Sequence, residues 1–158
     1  MRIIVFSDSH GNIRRCIKVI DRIRDVDMMI HLGDVLTDAK DLQALYPDIP
    51  VEYVAGNNDF MHRAPYSKVL ETEGKRILIT HGHLHRVKYE YDTIVNKAVS
   101  MKVDGVLFGH THQGYQAYHH GMLVLNPGSI SLPNQGKPSY GVIEIENGKM
   151  GACVCNVD

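Results

Sequence analysis

The chain has 158 residues, 44% of them hydrophobic, and seventeen lysines and arginines face eighteen aspartates and glutamates. That length predicts one domain over residues 1–158 with room for a real core. Near neutrality with interspersed signs argues against extended nucleic acid or a membrane surface as partner.

From the N-terminus, Arg2 to Ser7 is an apolar run of strand length, and its apolar stretch Ile3 to Phe6 is too short for a signal peptide or a spanning helix, so a cytoplasmic protein is expected. Ile13, Cys16, Ile17, Ile20 and Ile23 then recur at helical spacing through Asp25. Met28 to Leu32 reads as a second strand, Asp38 to Tyr46 as a short helix, and Val51 to Ala55 as a third strand ending at a glycine. Strand, helix, strand in alternation predicts a parallel sheet. Val69 to Glu71 and Arg76 to Thr80 flank a Gly74 turn and suggest a hairpin. A helix over Glu90 to Met101 and a buried strand over Gly105 to Phe108 come next. Two hairpin signals close the chain: Tyr115 to His119 with Met122 to Leu125, and Tyr140 to Ile145 with Met150 to Val157. The pattern predicts a mixed sheet, or two packed sheets, with helices outside. Cys16, Cys153 and Cys155 are few and odd in number and read as reduced thiols. Cys153 and Cys155 share a face of the last strand, which leaves a metal pair as the alternative.

The loops behind the buried runs are chemically uniform. They carry Asp8 and His10, then Asp34, then Asn57, Asn58 and Asp59, then His81 and His83, then His110 and His112. Any one of these alone is ordinarily a turn residue or a helix cap, as Asp8 or Asn12 would be for the first helix. Five strand ends of one kind are a different matter. Ligands of open α/β sheets bind outside the carboxyl ends of strands, so the five loops are expected to converge. Burying that many ionisable groups together is costly unless a cation compensates. Carboxylate, amide and imidazole without thiolate suit first-row divalent metals.

In this order, "DSHGN" at 8–12, "GD" at 33–34, "GNND" at 56–59, "THGH" at 80–83 and "GHTH" at 109–112 resemble the calcineurin-like metallophosphoesterase superfamily. The short chain, the terminal hairpins and "NPGS" at 126–129 resemble its small YfcE-type phosphodiesterases. The resemblance implies an α/β fold, a four-layer αββα sandwich of two mixed β-sheets flanked by helices. It also implies two divalent transition ions, manganese foremost, with nickel, iron, zinc or cobalt as alternatives. Asp8, His10 and His112 would hold one ion and Asn57, His81 and His110 the other, with the Asp34 carboxylate between them. A water bridging such a pair loses its proton near neutral pH and attacks phosphorus in line.

Around those ligands, Asp59 is expected to orient its neighbours, with a turn carboxylate as the plainer reading. His83 is expected to touch the substrate phosphate, or else a ligand's backbone. His31 reads as a hydrogen-bonded structural histidine, and Gly128 and Ser129 as turn-formers near the site. His62, His85, His119 and His120 lie in no motif. Many family members have His where this chain has Asn58, and an amide donates a hydrogen bond but no proton at neutral pH. The expected activity is hydrolysis of a small phosphodiester. Phosphomonoester or nucleotide phosphatase activity is the alternative within the enzyme class, and a non-catalytic scaffold like the retromer subunit is the alternative outside it. The oligomeric state is open, a homo-oligomer included.

Overall fold

The computed structural model describes residues 1–61 and 63–158, so His62 lies outside the described residues. The first half of the chain alternates as expected: β1 (Arg2–Phe6), α1 (Arg14–Arg22), β2 (Met28–His31), α2 (Leu36–Leu45) and β3 (Val51–Tyr53). After it come β4 (Ser67–Thr72), β5 (Lys75–Thr80), α3 (Asp92–Ser100), β6 (Gly105–Leu107), β7 (Gly114–His119), β8 (Met122–Pro127), β9 (Ser139–Glu146) and β10 (Lys149–Asn156). The strands form two five-stranded mixed sheets, ordered β10-β9-β1-β2-β3 and β4-β5-β6-β8-β7. In the first, β1, β2 and β3 run parallel; in the second, β5, β6 and β8 do.

Alternation along β1 explains the layering. Ile3 and Val5 join Ile30, Ile77, Ile79, Leu107 and Leu125 in a core to which both sheets contribute. Ile4 and Phe6 point the other way, into a second cluster with Cys16, Val19 and Ile20 of α1 and Leu42 of α2. On the second sheet, Leu78, Val106 and Val124 pack against Ile94, Val95 and Ala98 of α3. Strands buried on both faces read as continuous apolar runs rather than alternating ones, as β1 does. The result is the helix, sheet, sheet, helix order that the resemblance implies.

Element ends depart from expectation where distant residues intervene. α2 begins at Leu36 rather than Asp38 because the Asp59 carboxylate, on the loop after β3, accepts the Leu36 N–H at 2.7 Å. α3 begins at Asp92 rather than Glu90, and the Glu90 carboxylate instead accepts the Thr93 N–H at 2.9 Å. α1 stops at Arg22 and does not reach Asp25. A 3-10 turn at His83–His85 has no counterpart in the sequence pattern.

Candidate metal centre

Because β1, β2 and β3 are parallel, and β5 and β6 are parallel in the facing sheet, the five polar loops open at one edge of the sandwich. Direct bonds tie them together: Asp8 N–H to the Gly33 carbonyl, Gly109 N–H to the His81 carbonyl, and His110 N–H to Asp8 Oδ2. The turns are unusually tight. Asp8, His10, Asp34, His110 and His112 all take left-handed φ values, between 49° and 68°. Non-glycine residues rarely adopt this conformation, which costs roughly 1–3 kcal/mol each and clusters at functional sites. Two glycines permit the approach. A Cβ on Gly109 would stand 1.9 Å from Ser7 Oγ, and one on Gly56 would stand 2.1 Å from Asp34 Oδ1.

Among the described residues, the ligand atoms of Asp8, His10 and His112 lie within 4.8 Å of one another, as do those of Asp8, Asp34 and His81. His81 Nε2 is also 3.2 Å from Asn57 Oδ1 and 3.1 Å from His110 Nδ1. The structure thus brings all seven expected ligand residues into two adjoining groups. The carboxylate common to both groups is Asp8, whereas the resemblance puts Asp34 between the ions; Asp34 Oδ1 stands 3.5 Å from His81 Nε2.

Hydrogen bonding tests whether a cation fits. His81 Nδ1 donates to the Leu32 carbonyl and His112 Nδ1 to the Leu132 carbonyl, both at 2.7 Å, tautomers assigned from those partners. Each ring, when neutral, turns a bare Nε2 inward. The lone pairs meet Asp8 Oδ1, fully buried and with no hydrogen-bond partner among the described residues. His112 Nε2 lies 3.1 Å from it, His81 Nε2 3.8 Å and His10 Nε2 3.9 Å. His10 Nε2 and His112 Nε2 are themselves 3.3 Å apart. A buried carboxylate oxygen facing imidazole lone pairs is electrostatically unsatisfied, and a divalent cation satisfies the whole set. The residues fit divalent transition ions.

Electrostatics agree. Without a cation, burial would raise the Asp8 carboxyl, but a proton on His112 and the charge of a protonated His81 bring it down to about 2, and Asp8 in turn raises His112; a cation displaces those protons and takes their place. Burial, reinforced by His81 and Lys88, depresses His110 to about 4, which favours the neutral, ligating imidazole.

The residues around the ligands divide into those that touch the site and those that brace it. Asn58 Nδ2 donates to Asp34 Oδ2 at 2.8 Å, and its N–H approaches Oδ1 at 3.2 Å. The amide is thus engaged with a carboxylate of the site. Asp59 is buried and spends both oxygens on backbone N–H groups, those of Asp34, Gly56 and Leu36. It therefore ties the Asp34 loop to the Gly56 turn and to the first turn of α2. His83 stacks edge-on against Tyr66 with its Nδ1 buried and unpartnered among the described residues, and its ring lies 6.0 Å from the His110 ring by centroids. Burial holds His83 below the usual histidine range. His31 is buried, its two ring nitrogens bonded to Ser9 Oγ and to the Gly33 N–H. His85 meets Lys97, and His119 and His120 pack together at the β7–β8 turn. Ser129 Oγ donates to the Asp8 carbonyl, consistent with a shaping role.

Sequence reasoning missed three contributions. Asn126 Nδ2 donates to the Gly109 carbonyl and to Thr111 Oγ1, which fixes the "GHTH" turn; its signal was "NPGS" itself. The Leu32 and Leu132 carbonyls that orient His81 and His112 left no signal, because a backbone acceptor can belong to any residue. Lys88 lines a cleft with His110 and His112 although no motif contains it.

Known proteins share both this sequence pattern and this architecture. A model of the "Calcineurin-like phosphoesterase superfamily domain" matches residues 1–148. A probable metallophosphoesterase of Bacillus subtilis, YsnB, is 34% identical over 93% of this chain and 86% of its own length. The phosphodiesterase YfcE of Escherichia coli is 25% identical over 91% and 88%. Among solved structures, a predicted phosphoesterase of Streptococcus pneumoniae superposes with a TM-score of 0.82 at 30% identity, over 98% of this chain and 88% of that one. Vps29 of Entamoeba histolytica, solved with zinc, shares the fold at a TM-score of 0.77 and 19% identity over the whole of both chains.

Proposed function

This chain belongs to the calcineurin-like phosphoesterase superfamily, and from that membership we propose that residues 1–158 form one catalytic domain, a cytoplasmic phosphodiesterase that hydrolyses a small phosphodiester with two divalent transition ions. Asp8, His10 and His112 would hold one ion and Asn57, His81 and His110 the other, with the Asp34 carboxylate available to both. Manganese is the ion of choice, with nickel, iron, zinc and cobalt as alternatives. When bound, such a pair would supply Lewis-acid chemistry, activating water for attack on phosphorus and screening charge on the phosphoryl oxygens.

The chain's own residues do the rest. Asp59 holds the Asp34 loop through three backbone bonds, Asn58 steers the Asp34 carboxylate, and the Leu32 and Leu132 carbonyls aim His81 and His112. His83, with a free buried nitrogen, is the side chain assigned to the substrate phosphate.

The observation that carries this reading is the orphaned Asp8 Oδ1 among bare imidazole nitrogens. A scaffold leaves that arrangement without a reason. Charge supports a diester: with two divalent ions bound, Asp8, Asp34 and a deprotonated attacking water would leave the site near plus one, which a diester monoanion would neutralise. The phosphodiesterase name of the YfcE relative points the same way. A monoesterase is the rival because Lys88 adds a positive charge beside His110 and His112. The test is a manganese-reconstituted sample: about two ions per chain by elemental analysis, hydrolysis of a nitrophenyl diester faster than of its monoester, and loss of both on chelation. Full activity after chelation would reject the metal mechanism; a monoester kcat/KM at or above that of the diester would move the protein to the phosphatases.

A further inference from the structure

Beside His110 and His112 opens a cleft of about 460 Å³ whose lining also includes Lys88, Gln113, Leu132 and Asn134. Among the described residues Lys88 is the one lysine or arginine of that lining, and no carboxylate lines it. An unpaired lysine on a surface is ordinary. Here Lys68, Lys75 and Lys97 find partners in Glu52, Asp104 and His85, whereas the Lys88 side chain, like those of Lys40, Lys102, Lys137 and Lys149, is engaged with none of the described residues, and what sets it apart is its place on the cleft beside His110 and His112. The side-chain amides of Gln113 and Asn134 are likewise free of hydrogen bonds to the described residues. Aromatic stacking is not what the cleft offers: Tyr91, also at its wall, is packed edge-on against Phe108 and Tyr115. An ammonium, two free amides and no acid make a receptor for a negatively charged, hydrogen-bonding group.

We infer that this cleft receives one of the two alcohols of the phosphodiester, and that Lys88 pairs there with a second anionic group, a phosphate or a carboxylate, carried by that alcohol. The inference rests on the phosphodiesterase reading and narrows its substrate class to diesters that bear a further negative charge. It also gives Lys88 a role that does not require a monoester dianion: the centre near plus one takes the diester phosphate, and the lysine takes the second charge.

Four p-nitrophenyl phosphodiesters test it, with choline, ethanol, 3-hydroxypropionate or 2-phosphoethanol as the second alcohol. All release the same nitrophenolate, so differences in kcat/KM report the second alcohol. In the manganese-loaded protein kcat/KM should rise from choline to ethyl to the anionic esters, by about three- to fivefold at each step for a partly solvated pair. Raising the salt should shrink the steps. The carboxylate and phosphate arms show which anion the cleft prefers. Lys88→Gln should draw the four values together, and Lys88→Glu should reverse their order. An order that persists in Lys88→Gln overturns the inference, as does a variant whose loss is confined to nitrophenyl monoester. If no diester is turned over, the phosphodiesterase reading has failed and the subsite is judged by calorimetry. 2-Carboxyethylphosphonate should then bind the wild type about three- to fivefold more tightly than ethylphosphonate, and the two should bind Lys88→Gln alike. Equal affinities for the wild type reject the subsite.

Discussion

Two buried polar clusters hang from the same loops, and they differ in one respect. In the first, the Gly33 N–H donates to His31 Nδ1, which leaves His31 Nε2–H to donate to Ser9 Oγ at 2.9 Å. Ser9 Oγ in turn donates to Asp38 Oδ2, which also accepts the Gly11 N–H. Each donor there has an acceptor. In the second, built on Asp8 and His10 on either side of Ser9, neutral imidazole nitrogens and a carboxylate face one another as acceptors, and Asp8 Oδ1 has no hydrogen-bond partner among the described residues. Residue types are nearly the same in both. The closed cluster braces the loops, whereas the open one has the chemistry of a ligand site, so satisfaction rather than composition separates structure from function.

The largest effect should come from closing the open cluster artificially. Asp8→Asn puts an amide donor against the bare His112 nitrogen, so metal-dependent activity should fall by more than about 10²-fold, beyond what loss of an orienting partner costs. Meanwhile the chelated protein should melt no lower than wild type. A variant that is clearly less stable in chelator would mean that Asp8 is structural and that the contrast is false.

Adding the cation is the converse. Manganese at 100 times its Kd should stabilise the wild type by about 2.7 kcal/mol per site, read as a higher Tm, and should do less for Asp34→Asn. Equal gains in both proteins would remove Asp34 from the site.

Opening the closed cluster should cost stability with or without metal. Asp38→Ala strands the Ser9 hydroxyl and the Gly11 N–H, a loss of about 1–3 kcal/mol by denaturant unfolding. A cost that vanishes when manganese is added would show that the brace belongs to the metal site.

The smallest effect is a pH dependence. Burial holds His31 below its usual range, against the pull of Asp38, Asp8 and Asp59. The unfolded chain therefore takes up a proton near the ordinary histidine pKa that the folded chain refuses, and stability falls as pH drops through about 6.5 toward the folded value. His31→Gln should remove that contribution, up to about 1.4 kcal/mol per pH unit, in unfolding titrations of chelated protein run near neutrality and again about two pH units lower. Parallel pH profiles for the two proteins would show that His31 is not held neutral.

Local pattern was enough for much of this molecule. Most of the strands and helices are legible because each buries its own apolar residues at its own period, and that period is written in consecutive residues; β7, exposed along nearly its whole length, is legible instead from the hairpin turn that pairs it with β8. The ligand cluster was legible for a related reason: five loops each carried their own polar signal, and parallel strands put their carboxyl ends at one edge. The chain could not announce whatever depends on two distant segments meeting. α2 starts at Leu36 because Asp59 lies over its first turn. The amide of Asn58 binds Asp34, which a reading of position 58 as a vacant acid did not contain. Asp38, to all local appearance a helix residue, closes the His31 network, and Lys88 reaches the cleft from a segment without a motif. Such placements are matters of ångströms between residues tens of positions apart, set by how the two sheets pack, and no local spacing encodes them.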